Sequence, residues 1–75
     1  MEDLIRTIVI AMVDFPDELS VKRIEGSKIS IYEVKVAKAD TGKIVGKHGR
    51  NIEAMRIIVN AAGQKDHRRC LIQIL

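Results

Sequence analysis

The fold of this chain is decided by an eight-residue segment with two glycines, Val45-Gly46-Lys47-His48-Gly49-Arg50-Asn51-Ile52. Glycine accepts a positive φ and lets a ligand approach the backbone closely, because it has no Cβ. An amphipathic helix pattern begins directly afterwards, and a helix N-terminus presents unpaired N–H groups and the positive end of the macrodipole. The segment therefore predicts an anion site in which Gly46 and Gly49 admit a phosphate and Lys47 and Arg50 supply charge.

The pattern of apolar residues around this segment predicts six elements in the order α-β-β-α-α-β. We expect helices over residues 2–13, 41–45 and 49–62, and strands over residues 21–25, 28–37 and 70–75. The first two strands share a tight turn and should pair antiparallel, whereas the second and third are connected through two helices and should be parallel. This order predicts an α+β fold, with helices covering one face of a mixed three-stranded sheet.

Local signals refine the two helices that flank the segment. Asp40 and Thr41 are good N-cap residues for the short helix, and Gly63 is well placed to end the long one. The expected core stripe of the long helix is Ile52, Met55, Ile58, Val59 and Ala62. A second stripe, Ala54, Ile57 and Ala61, lies on another side, where small residues would let a subunit approach closely.

The second strand alternates in two phases. Tyr32, Val34 and Val36 form one apolar set, which we expect to face the core, while Ile29 and Ile31 fall out of phase with it. The shift indicates either a β-bulge or a strand with both faces partly covered. On this reading Ile29 and Ile31 lie on the opposite face of the sheet and suggest a dimer contact.

From the length of 75 residues we expect a single small domain, residues 1–75, and the composition predicts an aliphatic core. Hydrophobic residues make up 47% of the chain, yet Phe15 and Tyr32 are the only aromatic rings. Nucleic-acid readers that stack bases on aromatic side chains need more rings than this, so an aromatic platform is excluded. The formal charge of +3 fits a local binding groove better than a surface that wraps a polyanion.

The single cysteine, Cys70, excludes a disulfide framework and a thiolate metal cluster. It lies within an apolar run and is expected to be a buried core thiol. His67 and Cys70 are too isolated to supply the ligands of a metal site, and no cofactor is expected. The first residues lack the features of a signal peptide and no apolar run could span a bilayer, so a cytoplasmic protein is expected.

The segment also resembles a known family signature. Ile44-Val45-Gly46-Lys47-His48-Gly49-Arg50-Asn51-Ile52 is similar to the aliphatic-Gly-x-x-Gly-x-x-Ile motif of KH domains. The α-β-β-α-α-β order resembles the prokaryotic, type II arrangement, and the whole chain is similar to the small stand-alone bacterial KH proteins of the KhpA family. Pro16-Asp17-Glu18, Val36-Ala37 and Ala61-Ala62 add to this likeness.

The resemblance implies an RNA-binding protein. Members of this class clamp about four nucleotides of single-stranded RNA in a groove between the two helices, the loop and a strand. Homodimers, or heterodimers with a larger KH-containing RNA-binding protein, are typical of them, and post-transcriptional regulation or RNA chaperoning is the expected role. A protein-interaction module with weak nonspecific nucleic-acid binding is the alternative, and the Ala54/Ile57/Ala61 stripe is its only support.

Further residues receive roles within this hypothesis. Lys43 precedes the loop by one helical turn and should reach the same strand. Two roles stay open for His48, a direct phosphate or base contact and a solvated loop residue. Two roles also stay open for three aliphatic residues, the groove under the bases and the structural core: Ile44, Val45 and Ile52.

A nucleotide-hydrolysing enzyme is the remaining class, and the loop does not fit it. Gly42 and Gly46 are separated by three residues, where a Walker A loop has four. His48 also stands where a Ser or Thr would hold Mg²⁺. No arrangement of Cys, Ser or carboxylate partners His48, so catalysis is not expected.

Overall fold

The computed structural model describes all residues from Met1 to Leu75 and is an α+β fold with a mixed three-stranded sheet. Its elements are α1 (Glu2–Ile10), β1 (Ser20–Glu25), β2 (Ile29–Lys35), α2 (Thr41–Val45), α3 (Arg50–Gln64) and β3 (Arg69–Ile74). Single turns of 3₁₀ helix connect some of them, at Pro16–Glu18, Lys38–Asp40 and Lys47–Gly49. The predicted fold class and element order are confirmed.

The sheet has the order β1-β2-β3, so β2 is central and β3 is an edge strand. β1 pairs with β2 antiparallel, and β2 pairs with β3 parallel. Both orientations agree with the prediction from the connections, because a short turn reverses the chain while a crossover through α2 and α3 restores its direction. The edge strand β3 lies beside α3, and the position of that edge determines where the groove described below can form.

The phase shift in β2 has a cause that the sequence did not reveal. Ser30, Tyr32, Val34 and Val36 are all buried, whereas Ile29 and Ile31 are half-buried on the other face. The ladder with β1 is continuous, so there is no bulge. Ser30 simply occupies a core-facing position, and its hydroxyl oxygen accepts a hydrogen bond of 3.1 Å from Nε of Arg68. A buried polar group is tolerated there because it is paired.

The core stripe of α3 is shifted from the predicted one. Ile52, Met55, Val59 and Gly63 are buried, but Ile58 is 47% exposed. The expected burial of Ile58 was wrong, because the apolar residues of α3 occupy a wider arc around the helix than the rest of the fold covers. Cys70 is buried opposite Gly63, as predicted for a core thiol.

Gly63 does not end α3, contrary to the prediction. The helix continues to Gln64, and Gly63 is buried inside its last turn. A Cβ at this position would lie 2.7 Å from Sγ of Cys70 and 2.9 Å from the carbonyl oxygen of Arg68. The glycine is therefore required by the close approach of β3 and not by a left-handed helix end.

Helix α1 ends at Ile10, three residues earlier than expected, and Asp40 explains part of the difference. The backbone N–H groups of Asp14 and Phe15 donate to the Asp40 carboxylate at 3.1 and 3.0 Å, which holds the chain after α1 out of the helix. Asp40 precedes α2 as predicted, but its side chain makes no cap hydrogen bond to that helix. Its buried carboxylate instead joins two distant parts of the chain.

None of the helices is both long and apolar enough to span a membrane. The longest, α3, has 15 residues and includes the charged residues Arg50, Glu53 and Arg56.

Candidate nucleic-acid interface

The loop between α2 and α3 takes a backbone path that few residue types tolerate. Gly46 has φ 76° and ψ 171°, and Gly49 has φ 72° and ψ 16°. His48 is also left-handed, with φ 58° and ψ 26°, which the sequence did not predict. Non-glycine residues held in this region store strain and are concentrated at functional sites, although His is one of the types enriched there.

Asn51 braces the loop from the first turn of α3. Its side-chain Nδ2 donates to the carbonyl oxygen of Lys43 at 2.8 Å and so joins α2 to α3 across the loop. The same side chain packs against Gly46, where a Cβ would lie 2.6 Å from Cγ of Asn51. Two separate features therefore require glycine at position 46: its positive φ and its contact with the Asn51 side chain. At Gly49 an added Cβ would meet only Ile52 Cγ2 at 3.9 Å, so φ alone favours glycine.

The predicted charged residues divide into two groups. Lys47, His48 and Arg50 are exposed and form no salt bridge. Lys43 instead hydrogen-bonds the carboxylate of Asp14 and lies 3.8 Å from that of Asp40. The hydrogen bond to Asp14 raises the pKa of the Lys43 ammonium, and attraction to both carboxylates adds to this effect. The charge of Lys43 is therefore already paired with carboxylates, whereas those of the other three residues are not.

An open groove of about 620 Å³ begins beside the loop and runs between α3 and the edge strand β3. Two of the candidate aliphatic residues, Val45 and Ile52, line it. The other, Ile44, has no exposed surface, so of the two roles left open for it the structure supports the core and not the groove. The complete lining is mostly apolar: Ile31, Val45, Ile52, Arg56, Leu71, Ile72, Gln73 and Ile74.

Sequence reasoning missed two polar residues of this groove. Arg56 is exposed, has no acidic partner and lies one helical turn after Ile52, on the same side of α3. Gln73 reaches the groove from β3. The four-residue spacing from Ile52 could have identified Arg56. Whether Gln73 reaches the groove depends on which strand forms the edge of the sheet, and the sequence does not show this. No cluster of His, Cys, Asp or Glu in the structure could hold a metal ion.

These features define a class of protein. A Gly-x-x-Gly loop between two helices, placed beside a mixed three-stranded sheet in the order α-β-β-α-α-β, is a type II KH domain. The profile of the family described as "KhpA/KhpB, KH domain" matches residues 2–74. The chain belongs to this family, which confirms the resemblance seen in the sequence.

Individual relatives are similar over all or most of their length. RNA-binding protein KhpA of Clostridium acetobutylicum is 40% identical over 75 residues, which is 100% of both chains. The protein of the same name from Caldanaerobacter subterraneus subsp. tengcongensis is 43% identical over 75 residues, again 100% of both chains. The one from Borreliella burgdorferi is 41% identical over 73 residues, covering 97% of this chain and 89% of the relative. No solved structure matches the chain significantly.

Proposed function

We propose that this protein binds single-stranded RNA in the cytoplasm, clamping about four nucleotides between the loop and the groove. The observation that carries the proposal is the placement of three uncompensated basic side chains, Lys47, His48 and Arg50, at the mouth of an apolar groove. The names of the relatives, each an RNA-binding protein, support the same ligand. A role in post-transcriptional regulation or RNA chaperoning would follow from this binding.

The geometry suggests how backbone and bases divide between the two surfaces. Gly46 and Gly49 carry no side chain, so a phosphate can approach the loop backbone and the N-terminal end of α3. Lys47 and Arg50 would add charge on either side of it. The bases would lie over Val45 and Ile52, with Arg56 along the α3 wall. An aliphatic floor has few hydrogen-bonding groups, so this part should select bases weakly.

Replacing Lys47 and His48 by Asp tests the clamp. Both side chains are exposed, so the double variant should keep its fold and lose RNA binding, measured by fluorescence anisotropy with a labelled single-stranded oligonucleotide. The control pairs Lys35→Asp with Thr7→Asp, which gives the same change in formal charge at exposed positions outside the loop and groove. Unchanged RNA affinity in a folded Lys47→Asp/His48→Asp protein would refute the clamp.

Salt dependence gives a second measurement on the wild-type protein. Two to four phosphate contacts to a single strand predict a slope of about −1.4 to −2.8 for the logarithm of affinity against the logarithm of salt concentration. A slope near zero would contradict a phosphate clamp.

We also propose that the chain pairs through the outer side of α3, either with a second copy or with a larger KH-containing partner. Ile57 is 70% exposed there, with Ile58 at 47% and exposed Ala54 and Ala61 beside them. Pairing two weak clamps would raise avidity through effective concentration. The description of the family names KhpA and KhpB together, which agrees with such a partner.

A matched pair of variants separates this surface from the uncovered sheet face suggested by Ile29 and Ile31. Ile57→Asp should convert a dimer to a monomer in analytical ultracentrifugation, while Ile24→Asp, on a 43% exposed residue of that sheet face, should leave the dimer intact. A dimer that is lost in Ile24→Asp and kept in Ile57→Asp would show that the interface lies on the sheet face. A monomeric wild-type protein would refute self-association.

A further inference from the structure

A second, wholly polar pocket lies at the C-terminal end of α3. Its volume is about 470 Å³, and its lining contains no hydrophobic residue. The lining consists of two amides and three basic-type side chains: Asn60, Gln64, His67, Arg68 and Arg69. Neither the clamp nor the outer side of α3 uses this pocket.

The pocket continues the line of the groove. Arg56, Asn60 and Gln64 follow one another in four-residue steps, so successive turns of α3 supply one wall of the groove and then one wall of the pocket. Asn60 is eight residues beyond Ile52, which corresponds to about 12 Å along the helix axis. β3 supplies the other wall in both, with residues 71–74 in the groove and Arg69 at the start of the strand in the pocket.

The three basic-type residues are not equally available. Arg68 is committed to the fold, since its guanidinium donates to the Ser30 hydroxyl and to the carbonyl oxygens of Gly26 and Ile29. It also lies 3.7 Å from the Glu25 carboxylate. His67 and Arg69 are exposed, and neither forms a salt bridge. Arg69 therefore provides the permanent, uncompensated positive charge of this pocket.

The chemistry of the pocket differs from that of the groove. Asn60 and Gln64 each carry a donor and an acceptor, so together they can pair with the hydrogen-bonding edge of a base. Arg69 beside them can bind a phosphate through its guanidinium. An apolar floor followed by a polar pocket along one wall suits a single strand whose bases are first packed and then recognised.

We propose that this second pocket binds a further nucleotide of the same RNA strand, beyond those held by the loop and groove. Arg69 contacts its phosphate, and Asn60 and Gln64 contact its base. The inference rests on the proposed RNA clamp and extends it, since it assigns most of the base selectivity to the pocket. It makes the RNA footprint longer than about four nucleotides.

The experiment compares a tetranucleotide with an octanucleotide of single-stranded RNA on the full chain. Wild-type protein should bind the octanucleotide more tightly. Arg69→Ala should weaken octanucleotide binding roughly tenfold, the loss expected for one hydrogen bond to a charged group, and leave tetranucleotide binding unchanged. The octanucleotide salt slope should fall in magnitude by about 0.7, the value of one phosphate contact.

Two controls keep the test specific. The Arg69 backbone N–H bonds the carbonyl oxygen of Lys28, and this bond survives replacement of the side chain, so circular dichroism should be unchanged. Lys35→Ala removes the same charge at an exposed position outside both pockets and should affect neither oligonucleotide. An octanucleotide that merely bridges two protomers would gain affinity without sensitivity to Arg69, and that result would overturn the proposal.

Base selectivity gives an independent measurement. Octanucleotides that differ only outside a constant core of four bases should differ in affinity for the wild-type protein, and Asn60→Ala combined with Gln64→Ala should remove those differences. Equal affinities in the wild type, or equal weakening of both oligonucleotide lengths by Arg69→Ala, would refute the second pocket. Failure of the wild type to bind either length would refute the RNA clamp itself.

Discussion

Substitution of Gly46 by Ala tests the geometry of the loop, because two separate physical effects oppose it. The residue has φ 76° and ψ 171°, a backbone region reached almost only by glycine. The new Cβ would also lie 2.6 Å from Cγ of Asn51 and 2.7 Å from its Nδ2. At that separation the Asn51 side chain must move, and its hydrogen bond to the Lys43 carbonyl would break.

The two effects can be sized separately. A residue forced into such a backbone region costs about 1–3 kcal/mol in the free energy of unfolding. Loss of the Asn51 hydrogen bond adds about 0.5–1.5 kcal/mol. Gly46→Ala should therefore destabilise the protein by about 1.5–4.5 kcal/mol. Gly49→Ala meets no close atom and should cost only the left-handed penalty of about 1–2 kcal/mol.

Urea unfolding of a double-mutant cycle separates these contributions. In an Asn51→Ala background the amide group that collides with the new Cβ and its hydrogen bond to Lys43 are already absent, although the Cβ of residue 51 remains 2.8 Å away. The cost of Gly46→Ala should therefore fall by about 1 kcal/mol. Gly49→Ala should cost the same in both backgrounds. An equal cost for Gly46→Ala with and without Asn51, or a larger cost for Gly49→Ala, would show that Asn51 does not brace the loop.

Two further substitutions concern the scaffold. Gly63→Ala should lower stability by about 1–3 kcal/mol in urea unfolding, because the new methyl would collide with Cys70 and a neighbouring carbonyl, whereas Gly42→Ala has open space and should be neutral or stabilising. An equal change in stability for Gly63→Ala and Gly42→Ala would contradict the close approach of β3 to Gly63. Burial by itself raises the pKa of the Asp40 carboxyl, but two backbone N–H groups and the Lys43 ammonium outweigh it, so that pKa lies below its usual value. Asp40→Asn should therefore lower the urea midpoint at pH 7, and the deficit should shrink as pH falls below the unfolded value of about 3.9. A deficit independent of pH would show that the charge of Asp40 does not stabilise the fold.

Much of the fold and part of the site were predictable because they depend on local patterns. Alternation at period two and apolar spacing at three and four residues identified all six elements, and connection lengths gave the strand orientations. The two glycines of the loop were recognisable because the backbone there requires positive φ. Lys47, His48 and Arg50 followed from adjacency to that loop, and they are exposed as expected.

The sequence by itself thus determined the element order, the sheet orientations and the loop, since each follows from residues close together in the chain. Tertiary structure decided which groups find partners over long separations. It paired Lys43 with Asp14, tied Asp40 to the chain after α1, and buried Ser30 against Arg68. It also placed β3 at the edge of the sheet beside α3, which creates both the groove and the second pocket. Hydrogen bonds and pockets of this kind join residues many positions apart, and no local periodicity encodes them.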